Sequence, residues 1–207
     1  MSAGGLRVGV LVSGAGTNLQ ALLDGVHGKG GVEVVGVLSN RAGVSALDRA
    51  AVAGVDHAVF ELEAYRDRAD RDAAMSDWLG ERDVGLVVLA GYMQLLTAAF
   101  LVRFPGAVIN VHPALLPAFP GVRAIEQAVE HGMKVFGVTV HFVDEGIDTG
   151  PIILQRAIEL PGAQDPEEVR RLLTPIEHEL LPEAVRLVAR GALEPDPDNP
   201  RRVLIAG

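Results

Sequence analysis

Asn110 and His112 stand two residues apart where the apolar run VINVH, Val108 to His112, meets Pro113. Side chains alternate along a strand, so both project from one side. A second apolar run, opening GVTVHFVDEGIDTGP at Gly137, carries His141 and then Asp148 in a glycine-rich turn before Pro151. An asparagine amide donates to an oxyanion while staying uncharged. An imidazole donates more strongly when protonated, or relays a proton near neutral pH. With a carboxylate beside them, these groups form a kit for moving an acyl group onto an amine. Each residue also has a plainer reading. Asn110 and His112 could satisfy loop backbone before Pro113, and aspartate is a common turn former that bonds its own backbone. His141, next to Phe142, reads as a core histidine or as an orienting partner for Asp148, with the structural role favoured.

Near the N-terminus SGAGTN, Ser13 to Asn18, separates a strand-like run from a helical one. Glycines there let backbone approach a ligand, and the unpaired amides of a helix start favour a phosphate. Leu19 occupies the place of the third glycine of a dinucleotide fingerprint, and no Walker lysine follows. The alternative is a tight turn with Thr17 or Asn18 as the helix cap. No His, Asp and Glu group has metal-ligand spacing, and no serine nucleophile elbow is present.

Composition narrows the field. A chain of 207 residues, 49% hydrophobic, can bury one substantial core, so a single domain over 1–207 is expected. No apolar run is long enough to span a bilayer. The lead MSAGG passes directly into a strand without a secretory cleavage pattern, and zero cysteines exclude thiolate chemistry and disulfides. A cytoplasmic protein is expected. A formal net charge of -9 argues against nucleic acid as a partner, while backbone amides and one or two arginines can still hold a small anion.

The elements follow from hydrophobic periodicity. Strands are predicted at Val8 to Val12, Val32 to Leu38, His57 to Phe60, Val84 to Ala90 and Ala107 to Val111. Helices are predicted between them: one carrying Leu19, Leu22, Leu23 and Val26, then Ser45 to Ala53, then Arg66 to Leu79. Acids and bases alternate along this third helix in the manner of a solvated face. Strands alternating with helices imply a doubly wound, mostly parallel α/β sheet. After a loop with Pro113, Pro117 and Pro120, a helix at Ala124 to Glu130 precedes Phe136 to Val143 and Ile152 to Leu160, an antiparallel addition. Asp165-Pro166-Glu167-Glu168 starts a helix towards Arg190, which Pro175 and Pro182 should kink or interrupt. EPDPDNPRR then reads as a polar connector to a last strand, Val203 to Ile205.

Taken together, VLVSGAGTNLQALL, VVLAGYMQLLTAAF, NVHPALLPAFPG, GVTVHFVDEGIDTGPII and TPIEHELLP resemble the glycinamide ribonucleotide formyltransferase family, from about Val8 to about Arg190. The resemblance implies the formyltransferase fold with a Rossmann-like N-terminal half. A phosphate-binding half would run over about 6–105, and a folate and catalytic half over about 106–207. It implies formyl transfer from the co-substrate 10-formyltetrahydrofolate to the amine of 5-phosphoribosylglycinamide, in purine biosynthesis, without a metal. By resemblance, Asn110, His112 and Asp148 are catalytic. Gly16, Thr17, Asn18 and Arg68 would hold the phosphate, with Glu177 near the ribose. Met93, Gln94, Leu95 and Leu96, with His141, Phe142, Val143, Asp144, Glu145, Gly146 and Ile147, would line the folate pocket. Small-molecule substrates are the implied partners, and a homodimer is compatible with the reading. One position departs: many members carry a histidine soon after the proline-glycine pair, where this chain has Val122-Arg123-Ala124-Ile125. Arginine does not titrate near neutral pH, so holding phosphate or closing the loop are its open roles. Methionyl-tRNA formyltransferase and formyltetrahydrofolate hydrolase share the Asn-x-His-Pro and Asp elements but carry added domains. A noncatalytic nucleotide- or folate-binding module of the same fold is the alternative of a different class.

Overall fold

The structure is a computed structural model that describes residues 5–206; most of the polar lead and Gly207 lie outside the described residues. The chain divides into two compact units, the first ending at Ile109 and the second beginning at Asn110.

In the first unit, strands β1 (Leu6–Val12), β2 (Val32–Ser39), β3 (His57–Val59) and β4 (Leu86–Leu89) stand in the order β3-β2-β1-β4, all paired in parallel. Val8 to Val12 is buried throughout, which explains why it reads as a continuous apolar run rather than an alternating one. Helices α1 (Thr17–Gly25), α2 (Ser45–Val52) and α3 (Arg68–Gly80) connect the strands. Leu19, Leu22 and Leu23 form the buried stripe of α1. Asp67 caps α3 by accepting from the Asp70 amide at 2.9 Å, so the helix starts two residues later than its charge pattern suggests. A further short helix, α4 (Ala98–Arg103), capped by Thr97, is absent from the sequence expectation because six residues are too few to show a period.

The alternating charges of α3 are not all solvated. Arg71 and Asp72 are fully buried and paired at 2.7 Å, which corrects the expectation of an exposed face.

Strand β5 (Val108–His112) carries the chain into the second unit, where the order is β5-β6-β7-β9-β8. There β6 (Val135–Phe142) and β7 (Ile152–Glu159) form the expected antiparallel pair. The EPDPDNPRR segment is not a connector. It forms β8 (Leu193–Asp196), a turn, and β9 (Asn199–Ile205), paired antiparallel, and β9 meets β7 in parallel at Arg202 and Ile152. Helix α5 (Ala124–Glu130) lies where expected.

Helix α6 (Pro166–Ala189) runs through both internal prolines without a break. Each proline removes one amide donor from the ladder. The helix persists because Val169, Leu173, Ile176, Leu180, Ala184 and Leu187 repeat every three to four residues and are all buried. Its start is set by Asp165, whose side chain accepts from the Glu167 amide at 3.0 Å. Among the described residues, no helix is long and apolar enough to cross a membrane. Asp165→Ala should lower stability by about 1 kcal/mol, the usual cost of losing such a cap, read from urea unfolding.

Candidate active site

The second unit builds its polar centre on one carboxylate. Asp148 follows the Gly146-Ile147 turn with φ 53, a left-handed conformation that costs a non-glycine residue of order 1 kcal/mol or more. That backbone turns the carboxylate inward, leaving its side chain 14% exposed between two imidazoles. Its Oδ2 accepts the Gly121 amide at 2.7 Å and lies 3.4 Å from His112 Nδ1. Its Oδ1 lies 3.5 Å from His141 Nε2 and accepts from Asn110 Nδ2 at 3.3 Å. The same Asn110 nitrogen is 3.3 Å from His141 Nε2.

The far nitrogen of each imidazole is held by a backbone carbonyl. His112 Nε2 donates to Phe119 O at 2.8 Å, and His141 Nδ1 donates to Phe142 O at 2.8 Å. A carbonyl only accepts, so those two nitrogens carry the protons. In neutral His141 the remaining lone pair, on Nε2, accepts from Asn110 and fixes the amide. In neutral His112 the lone pair on Nδ1 faces the carboxylate; adding a proton there gives both ring nitrogens an acceptor.

Burial sets the balance. It pulls His112 below the ordinary imidazole value, against the Phe119 carbonyl and the Asp148 carboxylate, which favour the cation. For Asp148 burial is the largest single influence and works upward. With both imidazoles as cations, a hydrogen bond from His141, the Gly121 amide and the two ring charges outweigh it and bring the carboxyl down to about 2. The resting arrangement near neutral pH is therefore an ionised Asp148 beside a mostly neutral His112.

The partners of Asp148 and His112 come from a turn wound against the usual hand. Phe119, Gly121 and Arg123 take φ values of 53, 82 and 60, which aims the Phe119 carbonyl at His112 and the Gly121 amide at Asp148. His131 packs edge-on against Phe119 at 5.3 Å between ring centroids. Asp144 organises the other turn, accepting from the Gly146 amide at 3.0 Å and the Thr149 hydroxyl at 2.7 Å. Gly150 closes it, since a Cβ there would run into the Phe142 carbonyl oxygen.

In the first unit, Gly16 sits at the N-cap of α1 with φ 71 and no side chain caps the helix, so the Thr17 or Asn18 cap does not form. Gly16 has a packing reason as well: a Cβ would lie 2.6 Å from that of Ala46. Helix α2 braces the loop, with Arg49 Nε donating to Ala15 O at 2.9 Å. Ser13 Oγ donates to Asn40 Oδ1 at 2.6 Å and accepts from the Met93 amide at 2.9 Å, tying the SGAGTN loop to the segment after β4. Ser13, Asn40, Arg41, Glu61, Met93 and Gln94 line a cleft of about 710 Å³.

Residues 6–185 match the formyl transferase family model. A phosphoribosylglycinamide formyltransferase of Haemophilus influenzae is 37% identical over 90% of this chain and 89% of its own length. The chain belongs to the formyl transferase family. The bovine trifunctional purine biosynthetic protein adenosine-3 is 41% identical over 90% of this chain, and the match spans only 19% of that longer protein. Among solved structures, glycinamide ribonucleotide transformylase 1 of Symbiobacterium toebii superposes with a TM-score of 0.94 at 47% identity, covering 100% of this chain and 96% of its own.

Within this family frame, the structure brings Asn110, His112, His141 and Asp148 together in the second unit. Phe142 and Val143 are half-buried beside them in sequence, and Glu145, Gly146 and Ile147 are exposed on the turn. Glu177 is half-buried on α6. In the first unit Arg68 is exposed at the start of α3, while Met93 and Leu95 are exposed and Gln94 and Leu96 half-buried. Arg123 is the N-cap residue of α5 and lies 3.5 Å from Glu130, so its guanidinium is engaged on its own helix. Sequence reasoning missed the Phe119 carbonyl, the Gly121 amide and Arg49. The first two are backbone groups, which no residue type reveals, although the Phe119-Pro120-Gly121 turn signal was there to read. Among the described residues, no group of three or more His, Cys, Asp or Glu could hold a metal ion.

Asp148 titrates lower in the folded chain than in the unfolded one, so its contribution to stability is present above about pH 4 and drains away as pH falls towards 2. Asp148→Asn should remove about 2 kcal/mol of the stability lost between those limits, measured by urea unfolding at a series of pH values.

Proposed function

We propose that this chain transfers the formyl group of 10-formyltetrahydrofolate to the amine of 5-phosphoribosylglycinamide, a step of de novo purine biosynthesis. The observation that carries the reading is the ionised Asp148 placed against His112 and tied to Asn110. The proposal includes one functional domain over 1–207, with phosphate held by the half at about 6–105 and folate by the half at about 106–207. It also includes a cytoplasmic location. In the phosphate half, Gly16, Thr17 and Asn18 offer the start of α1, and Arg68 supplies a positive charge. Glu177 would meet the ribose, and Met93, Gln94, Leu95, Leu96 and residues 141–147 would receive the folate.

The chemistry follows from proton positions. The amine lone pair attacks the formyl carbon, and the carbonyl π electrons move onto oxygen. Asn110 then serves as an oxyanion donor, which requires it to release one of its two long inward contacts at 3.3 Å. The nitrogen that has attacked is cationic. Neutral His112 takes up its proton, directly or through water, and Asp148 stabilises the imidazolium so formed. The cation also stabilises the oxyanion by attraction. Collapse of the intermediate re-forms the carbonyl, breaks the bond to the folate nitrogen and returns a proton to that nitrogen. Formylated glycinamide and tetrahydrofolate result, with no covalent bond to the protein. Burial keeps His112 mostly neutral at rest, so it is ready to accept a proton at neutral pH.

The test is an assay of the purified chain with both substrates, following loss of the formyl donor. Turnover that requires both is the expected result; no turnover by folded protein would contradict the reading, and formate release without the glycinamide would point to a hydrolase. His112→Ala, Asp148→Asn and Asn110→Ala should each lower kcat by about a hundredfold or more, the usual cost of one such electrostatic group. A near-normal rate in any of them would remove that residue from the mechanism.

A further inference from the structure

Two buried charges in the first unit fasten a segment whose apolar side chains face water. Arg71 and Asp72 both have fully buried side chains. Asp72 Oδ1 accepts from Arg71 Nε at 3.0 Å and from Nη2 at 2.7 Å, and its Oδ2 accepts the Thr97 amide at 2.8 Å. Arg71 Nη1 donates to Gln94 Oε1. The Met93 amide is held by Ser13 Oγ at 2.9 Å. The chain is thus tied at 93, 94 and 97. Along this stretch Met93 is 69% exposed and Leu95 52% exposed.

A buried ion pair is a poor way to stabilise a fold, because desolvation offsets most of the attraction and an apolar pair often serves as well. What this pair does supply is geometry. Its two ends grip a side chain and a backbone amide three residues apart, so the loop between them has little freedom to collapse the exposed Leu95 onto the core, and the Ser13 tie holds Met93 next to it. Apolar groups held out in water by buried polar ones suit a preformed receptor for the face of a ring-bearing ligand.

We propose that Arg71 and Asp72 are positioning residues for the formyl donor, locking Met93–Leu96 in the shape that receives its bicyclic ring. This rests on the formyltransferase reading above. Neither residue touches the reacting atoms; both act through Gln94 and Thr97.

The double variant Arg71→Met/Asp72→Leu tests it, since it fills the same space with apolar side chains and lets the core stay closed. Folding is checked by circular dichroism and thermal melting. The expected result is a KM for 10-formyltetrahydrofolate raised about tenfold, with kcat and the KM for the glycinamide substrate within about twofold of wild type. Hydrogen exchange at the Thr97 amide should accelerate about tenfold or more. If the double variant does not fold, Arg71→Lys carries the test: the charge stays, the fork to Gln94 is lost, and the folate KM should rise about threefold. An unchanged folate KM in the folded double variant, or in Arg71→Lys where that variant carries the test, overturns the positioning claim alone. A wild-type chain that does not consume the formyl donor overturns the functional reading, and the positioning claim with it.

Discussion

The ionised carboxylate of Asp148 is the constraint around which the second unit is arranged, because a charge that is 14% exposed must be met by polar partners. Its partners come from three pieces of chain: the Asn110 amide and the His112 ring from β5, the His141 ring from β6, and the Gly121 amide from the turn before α5. None of these could shift alone without leaving the carboxylate short of a partner. The antiparallel pairing of β6 and β7 has its place in this scheme, since it sets the ends between which the turn must return Asp148 towards β5.

The arrangement is held at a conformational cost. Phe119, Arg123 and Asp148 are three of the four non-glycine residues with positive φ among those described, and all three belong to the two turns that meet at the carboxylate. Such strain is of order 1–3 kcal/mol per residue and persists only where surrounding contacts over-determine the backbone. Here the contacts are the 2.8 Å bond from His112 to the Phe119 carbonyl and the 2.7 Å bond from the Gly121 amide to Asp148. The first unit applies the same logic by other means. There a buried Arg71–Asp72 pair, rather than backbone strain, ties the segment after β4.

How much of this could be read in the sequence depended on whether side chains or backbone did the work. Asn110 and His112 were legible because a period of two and a following proline place them together at a strand end. The parallel order of the first unit and the antiparallel pair after it were legible from apolar runs and turn residues. The Phe119 carbonyl and the Gly121 amide were not, since any residue offers those groups and only the hand of the turn aims them. Strand β8 hid in a segment rich in acids and proline, whose pairing with β9 supplies what its composition does not. Arg71 and Asp72 looked solvated because charge alternation on a helix does not tell which turn of it is covered. The prolines of α6 overstated their effect, because a long buried stripe outweighs two missing donors.

The central claim is that an ionised Asp148 faces the proton-accepting nitrogen of a buried His112 and favours its cation. Titration of the histidine ring nitrogens by ¹⁵N NMR, in wild type and in Asp148→Asn, tests it most directly. The wild-type His112 should titrate below its ordinary value, with Nε2 carrying the proton in the neutral form. In the variant its midpoint should fall further, because burial then acts without the carboxylate that opposes it. A midpoint unchanged or raised by the substitution would contradict the account.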